Sequence, residues 1–557
     1  MKRMPPMFRN ETRQPDSHNS LFVRQLNRVY LWFTLGVFVF VLVLALAEKL
    51  GMSREWIGLI FLLTTVGVYA GIGILSRTTD PVEYYVAGRR VPAIYNGMAV
   101  GSDWMSAASF LGLAGTLYLT GYNGLAFIMG WTGGFCLVAL FLAPYLRKFG
   151  QFTIPDFLGE RYGGNLPRFL GVAAAILCSF TYVVAQIYGV GLITSRLMGV
   201  AFELGIFLGL GGILVCSFLG GMRAVTWTQV AQYIVIIVAY LLPVVWLSVK
   251  QTGIPLPQIV YGVQLEKVTA QEISLTNDPD EQAVRQIFQD QANHLHDMLA
   301  DPVRALAVER AKAEAKVALL RASKAPQTEQ IAAEKWLARL PRDPEVAVRE
   351  WQQRLHELQA KQKPLNGMPP QAQQYSGDPN GTPEEQAEFD VSRRNFLALL
   401  FCLMVGTAAL PHVLTRYYTT PNVRQARESV TWSLFFIVLL YFTAPALAVL
   451  VKFEVFNVLV GTSFDALPAW IAAWNKVDPS LLSITDVNMD GILQLNEMSI
   501  GGDIIVLATA EIAGLPYVIS GLVAAGGLAA ALSTADGLLL TIANALSHDL
   551  YYKMIDP

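Results

Sequence analysis

The chain has 557 residues, of which 53% are hydrophobic and only 15% are charged, and its formal net charge is −2 at pH 7. This composition excludes a disordered chain, an ordinary soluble enzyme and a disulfide-rich secreted scaffold. A net charge near zero gives no overall field that attracts nucleic acid, so we expect no nucleic-acid partner.

The charged side chains are concentrated in one part of the chain. Residues 251–392 hold 36 of the 84 charged side chains, 21 of them acidic and 15 basic. The remaining sequence is strongly apolar. We therefore predict a membrane-embedded body and one polar insert, and we call residues 251–392 the insert.

The apolar runs are long enough to cross a bilayer. A hydrocarbon core of about 30 Å needs about 20 residues of helix, and only helices or closed barrels satisfy the backbone there. The runs do not alternate in polarity, which predicts an all-α, multi-pass membrane protein. The candidate spans lie near residues 29–47, 57–76, 93–119, 125–146, 168–196, 202–219, 225–249, 395–414, 430–451 and 515–546.

Basic residues predict the orientation of these spans. Lys and Arg are enriched in cytoplasmic loops, and the apolar run after the basic N-terminus lacks a cleavage site. We therefore expect a retained anchor, a cytoplasmic N-terminus in the plasma (bacterial inner) membrane, and the insert outside. The inside loops then carry Arg77, Arg89, Arg90, Arg147, Lys148, Arg161, Arg168, Arg223, Arg416, Arg424 and Arg427.

Three candidate spans contain residues that interrupt a helix. An acid at membrane depth is costly and usually functional, and unwound helices expose carbonyls to cations and amides to anions. Tight packing through small residues is the alternative. Three such spans in one chain favour a transporter over a structural bundle. The interruptions are Gly101–Ser102–Asp103 in 93–119, Gly406–Thr407 and Pro411–His412 in 395–414, and Ser533–Thr534 after a small-residue run in 515–546.

Five segments carry a more specific pattern: EYYVAGRR (83–90), GSDWMSAASFLG (101–112), GGMRAVTWTQVAQY (220–233), GTAALPHVLTRYYTTP (406–421) and ALSTADGLLL (531–540). They resemble the sodium/solute symporter family, and the 406–421 segment resembles its cation/acetate symporter branch. The resemblance implies a LeuT-like fold of two inverted five-helix repeats. It also implies that sodium is bound by the carbonyls of Ser102, Met105 and Ala530 and the hydroxyls of Ser533 and Thr534, with Ser106 nearby.

The same resemblance implies a site for a small monocarboxylate. The second half of the first core helix begins near Ser106 and Ala107, whose amides suit a carboxylate. Gln186, Thr407 and His412 are the further candidates for donors to it, although His412 is equally compatible with simple packing. The resemblance does not choose among acetate, glycolate, lactate and pyruvate. Gln229 replaces an acid of sugar and proline relatives, which disfavours those substrates.

We predict the following organisation: a cytoplasmic tail (1–28), two peripheral helices (29–92), the first core repeat (93–250), the insert (251–392), the sixth and seventh core helices (393–452), an outer loop (453–501), and the eighth core helix with a cytoplasmic end (502–557). The ninth and tenth core helices are missing from this pattern. We therefore expect a C-terminally incomplete fold, as in a fragment.

The outer loop contains the segment DVNMDGILQLNE at 486–497. It matches a calcium-binding EF-hand loop position by position, with a glycine at the sharp turn. A turn rich in Asp and Asn without an ion is the alternative. The expected ligands are Asp486, Asn488, Asp490, the Ile492 carbonyl, Gln494 and Glu497.

The insert has helix-forming stretches at 303–322 and 331–362, interrupted by Pro341 and Pro344, and a linker-like stretch at 364–383. A solvated helical hairpin and a partner-docking domain are both compatible with this pattern. No nucleophile, phosphate-loop or zinc motif occurs, so we predict no enzyme activity.

The sequence thus predicts a symporter that couples sodium entry to uptake of a small monocarboxylate by alternating access. Its partners are the bilayer, sodium and the solute, and a small membrane subunit is left open. The alternatives are a transporter-like nutrient sensor, coupling to protons instead of sodium, and another organic solute.

Overall fold

The computed structural model describes residues 16–323 and 325–556, with side chains described from residue 21 onward except at 210–219. Its first half contains α1 (Asp16–Lys49), α2 (Arg54–Leu75), α3 (Pro81–Val86), α4 (Ala93–Trp104), α5 (Leu113–Thr120), α6 (Leu125–Leu137), α7 (Ala143–Phe149), α8 (Ile154–Tyr162), α9 (Asn165–Met198) and α10 (Phe202–Thr252).

The second half contains α11 (Pro257–Asn277), α12 (Pro279–Ala300), α13 (Pro302–Ala322), α14 (Gln327–Arg339), α15 (Pro344–Lys361), α16 (Pro383–Ala408), α17 (Pro411–Thr415), α18 (Val423–Tyr441), α19 (Thr443–Glu454), α20 (Ala469–Val477), α21 (Ile504–Ile512) and α22 (Tyr517–Asn544). Two short strands, β1 (Leu482–Ile484) and β2 (Met498–Ile500), form an antiparallel pair. The all-α membrane architecture is therefore confirmed, with one small hairpin that the sequence did not predict.

Eight helical segments of the described residues are long and apolar enough to cross a membrane. The predicted span 93–119 is interrupted after Trp104, which leaves α4 with 12 residues. The predicted spans 202–219 and 225–249 correspond to the two parts of α10, which are separated by a non-helical kink at Gly221, where φ is +52°. A helix interrupted in the way that the 93–119 span is crosses the membrane in two pieces.

The helix α22 lies at the centre of the bundle, between α9 and α10. Its apolar window is 94% buried, whereas that of the peripheral α1 is 6% buried. Small residues permit this close packing: a Cβ on Gly526 would lie 2.4 Å from the Ala239 Cβ. This is the packing expected where helices associate without a hydrophobic driving force.

The insert forms a helical unit with its own apolar core. The helices α11 to α15 fill most of it, and buried residues on α12, α13 and α15 pack together, among them Phe288, Leu306 and Trp351. The interruption predicted at Pro341 and Pro344 is present, because α14 ends at Arg339 and α15 begins at Pro344. The predicted insert boundary at residue 392 falls inside α16, which runs on into a membrane span.

A buried polar cluster, which we call the anchor of the insert, attaches the insert to the membrane helices. Lys452 of α19 reaches Glu272 of α11 at 3.4 Å and the amide oxygen of Gln371 at 2.8 Å. The Gln371 side chain donates in turn to the Leu117 carbonyl of α5 at 2.9 Å. The stretch 364–383, predicted as a linker, therefore contains a residue that joins the insert to two membrane helices.

Candidate functional site

The first core helix is unwound between α4 and the helical segment that begins at Ala108. Met105 leaves the helical region with ψ of +66°, and the Ser106 N–H donates to the Trp104 carbonyl at 2.8 Å, a tight turn of three residues. The Ala107 N–H is bonded to the side-chain oxygen of Gln186 at 2.9 Å instead of to its own helix. The interruption predicted for this span is thus present.

An oxygen cluster forms where this unwound turn meets α22. The Ser533 hydroxyl donates to the carbonyl of Ser102 at 2.8 Å and to that of Ala530 at 2.9 Å. The Thr534 hydroxyl donates to the Asp103 carbonyl at 2.8 Å. We call these five oxygens the oxygen cluster; carbonyls and hydroxyls are ligands that suit a hard cation.

The structure brings together four of the predicted sodium ligands, namely Ser102, Ala530, Ser533 and Thr534. The Asp103 carbonyl joins them, which the sequence did not predict. Met105 lies at the break itself and makes no hydrogen bond to α22 among the described residues. The Ser106 hydroxyl faces Tyr182 and Ser109 rather than α22.

A fully buried ion pair lies beside the oxygen cluster. The Arg416 guanidinium contacts the Asp103 carboxylate at 3.1 Å, and both side chains are 0% exposed. Arg416 also donates to Thr226 at 3.1 Å and contacts the Met222 sulfur at 3.0 Å, both on α10. Arg416 was predicted to lie in an inside loop; it lies between two candidate membrane spans, and its long side chain reaches into the bundle beside Asp103.

Four of the predicted substrate residues, Ser106, Ala107, Gln186 and His412, converge on the other side of the break. Gln186 accepts the Ala107 N–H, and its own side-chain nitrogen is buried without a hydrogen-bond partner. The Tyr182 hydroxyl donates to the Ser106 hydroxyl at 2.7 Å. His412 packs its ring 5.8 Å from that of Tyr182, and both of its ring nitrogens are buried without a partner.

Tyr182 is a site residue that sequence analysis missed. It lies one helical turn before Gln186 on α9, so the two side chains share a face. That spacing is a signal that could have identified it. Thr407, in contrast, packs against Gly134 of α6, where an added Cβ would lie 2.4 Å from the Thr407 Cβ. No hydrogen bond joins Thr407 to the other predicted substrate residues within the part of the chain described.

The segment 486–497 forms a closed loop between β1 and β2. The carboxylate of Asp486 accepts the Gly491 N–H at 3.1 Å, and that of Asp490 accepts the Ile492 N–H at 2.7 Å. Gly491 has φ of +74°, as the turn requires. The Glu497 carboxylate accepts the N–H groups of Val487 and Gln494.

Clusters of three or more His, Cys, Asp or Glu side chains that could hold a metal ion are absent from residues 16–323 and 325–556. Any metal bound by the 486–497 loop would therefore depend on amide and carbonyl oxygens together with carboxylates. Such mixed oxygen sets are usual for calcium.

Comparison with known proteins places the chain among transporters. Residues 84–295 match the model of the sodium:solute symporter family. An uncharacterized symporter of Cupriavidus necator is 55% identical over 544 residues, which cover 96% of this chain and 78% of that protein.

A solved structure of a substrate-bound, outward-open, sodium-coupled sialic acid symporter resembles this chain with a TM-score of 0.50 at 15% identity. The likeness covers 90% of this chain and 75% of that one and concerns the fold. The LeuT-like architecture predicted from the sequence is therefore confirmed. The chain belongs to the sodium:solute symporter family.

Proposed function

We propose that the chain couples sodium entry to the uptake of a small monocarboxylate, such as acetate, by alternating access. The observation that carries this proposal is the unwound turn at Met105–Ala107. On one side it borders the oxygen cluster, and on the other it borders His412, Gln186 and Tyr182. One unwound turn thus separates the oxygen cluster from a polar set in which both His412 ring nitrogens and the Gln186 side-chain nitrogen lack hydrogen-bond partners.

The oxygen cluster supports sodium as the coupled ion. Its hydroxyls hydrogen-bond to backbone carbonyls, and each hydroxyl oxygen keeps lone pairs that a cation can use when the proton turns away. The ion would tie α22 to the unwound turn. In this proposal Ser102, Asp103, Ala530, Ser533 and Thr534 bind sodium.

A carboxylate suits the opposite side of the turn. The Ala107 N–H is at present bonded to a neutral amide oxygen of Gln186. A substrate carboxylate can replace that oxygen, because the N-terminal amides of a helix favour an anion. The released Gln186 side chain and His412 would then donate to the same substrate. These groups are at most 1% exposed, which favours a small solute.

The proposal includes an orientation. With the N-terminus in the cytoplasm, the insert and the 486–497 loop lie outside the cell. Lys148, Arg161 and Arg424 support this arrangement as exposed or partly exposed cytoplasmic charges, whereas the buried Arg416 no longer counts toward it. Calcium bound by the loop would be structural rather than transported.

The test is uptake of labelled acetate into vesicles that contain the full-length protein, with a sodium gradient, with a proton gradient alone, and with neither. Accumulation that needs sodium and that unlabelled acetate competes away is expected. Uptake driven by protons alone would overturn sodium coupling. Sodium-driven uptake of a different solute class would overturn the monocarboxylate, and binding without uptake would favour a nutrient sensor.

A further inference from the structure

The loop 486–497 and the insert meet at a shared surface. The strands β1 and β2 hold the two ends of the loop together through the pairs Leu482–Ile500 and Ile484–Met498. The loop is therefore a constrained ring rather than a free tail.

Two oxygen atoms in this ring lack hydrogen-bond partners. Gln494 is 4% exposed, and its side-chain oxygen is buried without a partner, while its side-chain nitrogen lies 2.8 Å from the Asp490 carboxylate. One carboxylate oxygen of Asp486 is also buried and unpartnered. Buried acceptors without partners are costly, so both oxygens are available to an ion at little further cost.

The remaining acids of the loop can share their oxygens with an ion. The two Glu497 oxygens accept the N–H groups of Val487 and Gln494 at 2.6 Å and 3.2 Å. A carboxylate oxygen offers two lone pairs, so an oxygen that accepts one N–H can still bind a cation. The Asp490 carboxylate accepts hydrogen bonds from the Ile492 N–H at 2.7 Å and from the side-chain nitrogens of Asn488 and Gln494 at 2.8 Å each.

The insert contacts the same loop through hydrogen bonds and apolar packing. Glu281 of α12 accepts the N–H groups of Leu495 and Asn496, at loop positions ten and eleven. The Asn496 side chain donates to the Lys363 carbonyl at 2.9 Å. At loop position two, Val487 packs against the apolar core of the insert.

We propose that residues 486–497 bind one calcium ion and that the bound ion fixes the surface on which the insert docks. Asp486, Asn488, Asp490, Gln494 and Glu497 supply side-chain oxygens, and Ile492 supplies its carbonyl. The ion neutralises the carboxylates of the ring and holds positions two, ten and eleven in the arrangement that Glu281 and the insert core contact. Loss of the ion loosens the loop and releases the insert.

The first test measures binding directly. Full-length protein in detergent, stripped of calcium, is titrated with calcium and, separately, with magnesium by calorimetry. One calcium ion with a dissociation constant on the order of 10⁻⁴–10⁻³ M is expected, as for extracellular modules. Asp490→Asn should weaken binding at least about tenfold. The matched control is Asp465→Asn, an exposed acid of the same segment outside the loop.

The second test measures docking of the insert by limited tryptic digestion with and without calcium. Calcium should slow cleavage within residues 257–361 of the wild type and of Asp465→Asn, and not of Asp490→Asn. Asp490 is exposed, so its replacement should leave the fold intact, and Glu497→Gln provides a second variant. Absence of calcium binding up to about 10 mM, or equal binding by Asp490→Asn, would overturn the site. Binding without protection would overturn the docking role. Neither readout depends on transport.

Discussion

The oxygen cluster with its neighbours and the anchor of the insert are both buried and polar, but they differ in how completely their groups are paired. In the anchor, Glu272, Lys452 and Gln371 hydrogen-bond to one another. The backbone N–H of Gln371 donates to both carboxylate oxygens of Glu272. Around the unwound turn, His412 and one nitrogen of Gln186 have no partner. Paired buried groups stabilise structure, whereas an unpaired buried group needs an explanation, of which a bound ligand is one.

The anchor illustrates the first case in detail. Lys452 is 0% exposed, and its ammonium lies 5.4 Å from the centre of the Tyr118 ring. Burial raises the pKa of Glu272, and the nearby ammonium of Lys452 opposes that change. A buried charge pair of this kind is stable only when its remaining hydrogen bonds are satisfied, and Gln371 satisfies them.

The Asp103–Arg416 pair tests this difference most directly, because it lies beside the oxygen cluster and yet its two charges are paired. Asp103→Asn leaves the Arg416 charge buried without its partner. We expect a loss of about 3–5 kcal/mol in the free energy of unfolding. The measurement is the thermal unfolding midpoint of the purified protein in detergent.

Two further variants test whether the loss comes from the unpaired buried charge. Asp103→Asn combined with Arg416→Gln removes both charges and should recover part of the loss. Arg424→Gln breaks the exposed Arg424–Glu428 pair and should cost at most about 1 kcal/mol. If Asp103→Asn unfolds at the wild-type temperature, the ion pair does not hold these helices together.

The oxygen cluster provides the second prediction. Ser533→Ala with Thr534→Ala removes two hydroxyl oxygens and leaves the carbonyls of Ser102 and Ala530. A contact to a charged group is worth about 1.5–3 kcal/mol, so the sodium concentration for half-maximal uptake should rise at least about tenfold. Ser547→Ala, which removes an exposed hydroxyl of the same chain end, is the control. An unchanged sodium dependence would refute the assigned sodium site.

The substrate side predicts a smaller effect that spares sodium. Tyr182→Phe removes the donor to Ser106, and a neutral hydrogen bond is worth about 0.5–1.5 kcal/mol. The acetate concentration for half-maximal uptake should therefore rise by about two- to tenfold. The sodium dependence should stay within error, and Tyr162→Phe, an exposed tyrosine, should change neither. A change in sodium dependence alone would place Tyr182 in the cation site.

Much of the fold and of the candidate site could be predicted from the sequence, because hydropathy and short motifs reflect local structure. The interruption near Asp103 and the hydroxyls of Ser533 and Thr534 were identified from residue type and position alone. The contact of Arg416 could not be predicted, because charge in an apparent loop gives no information on where a long side chain points. Only the fold reveals that it reaches Asp103, 313 positions away in the sequence.

The insert was the least predictable region, and for a different reason. Its membrane anchor joins Glu272 to Lys452 across 180 positions, which no local pattern reports. Its apolar core, however, is visible in the sequence as a helical stripe, because Val284, Phe288 and Leu295 lie along one face of α12. The helix-forming stretches predicted in the insert begin at residue 303, so they do not include α12.

The smallest predicted effect concerns the other contact of the insert. Burial raises the pKa of Glu281 to about 7, with a smaller contribution from Asp278, while the N–H groups of Leu495 and Asn496 and the charge of Arg285 act in the opposite direction. An undocked, solvated carboxyl has a pKa near 4.3, so the docked state binds a proton more tightly. This contribution to docking is complete below about pH 4.3 and is lost as the pH rises through about 7.

The insert should therefore be held more tightly at pH 5 than at pH 8. The measurement is hydrogen exchange of α12 and of loop 486–497, corrected for the intrinsic exchange rate at each pH. Glu281→Gln keeps one of the two acceptor oxygens and cannot titrate, so it should flatten the pH dependence of protection several-fold. Glu329→Gln, an exposed acid on α14, should leave that dependence unchanged. Equal protection at both pH values in the wild type would show that Glu281 docks in the same charge state in which it is free.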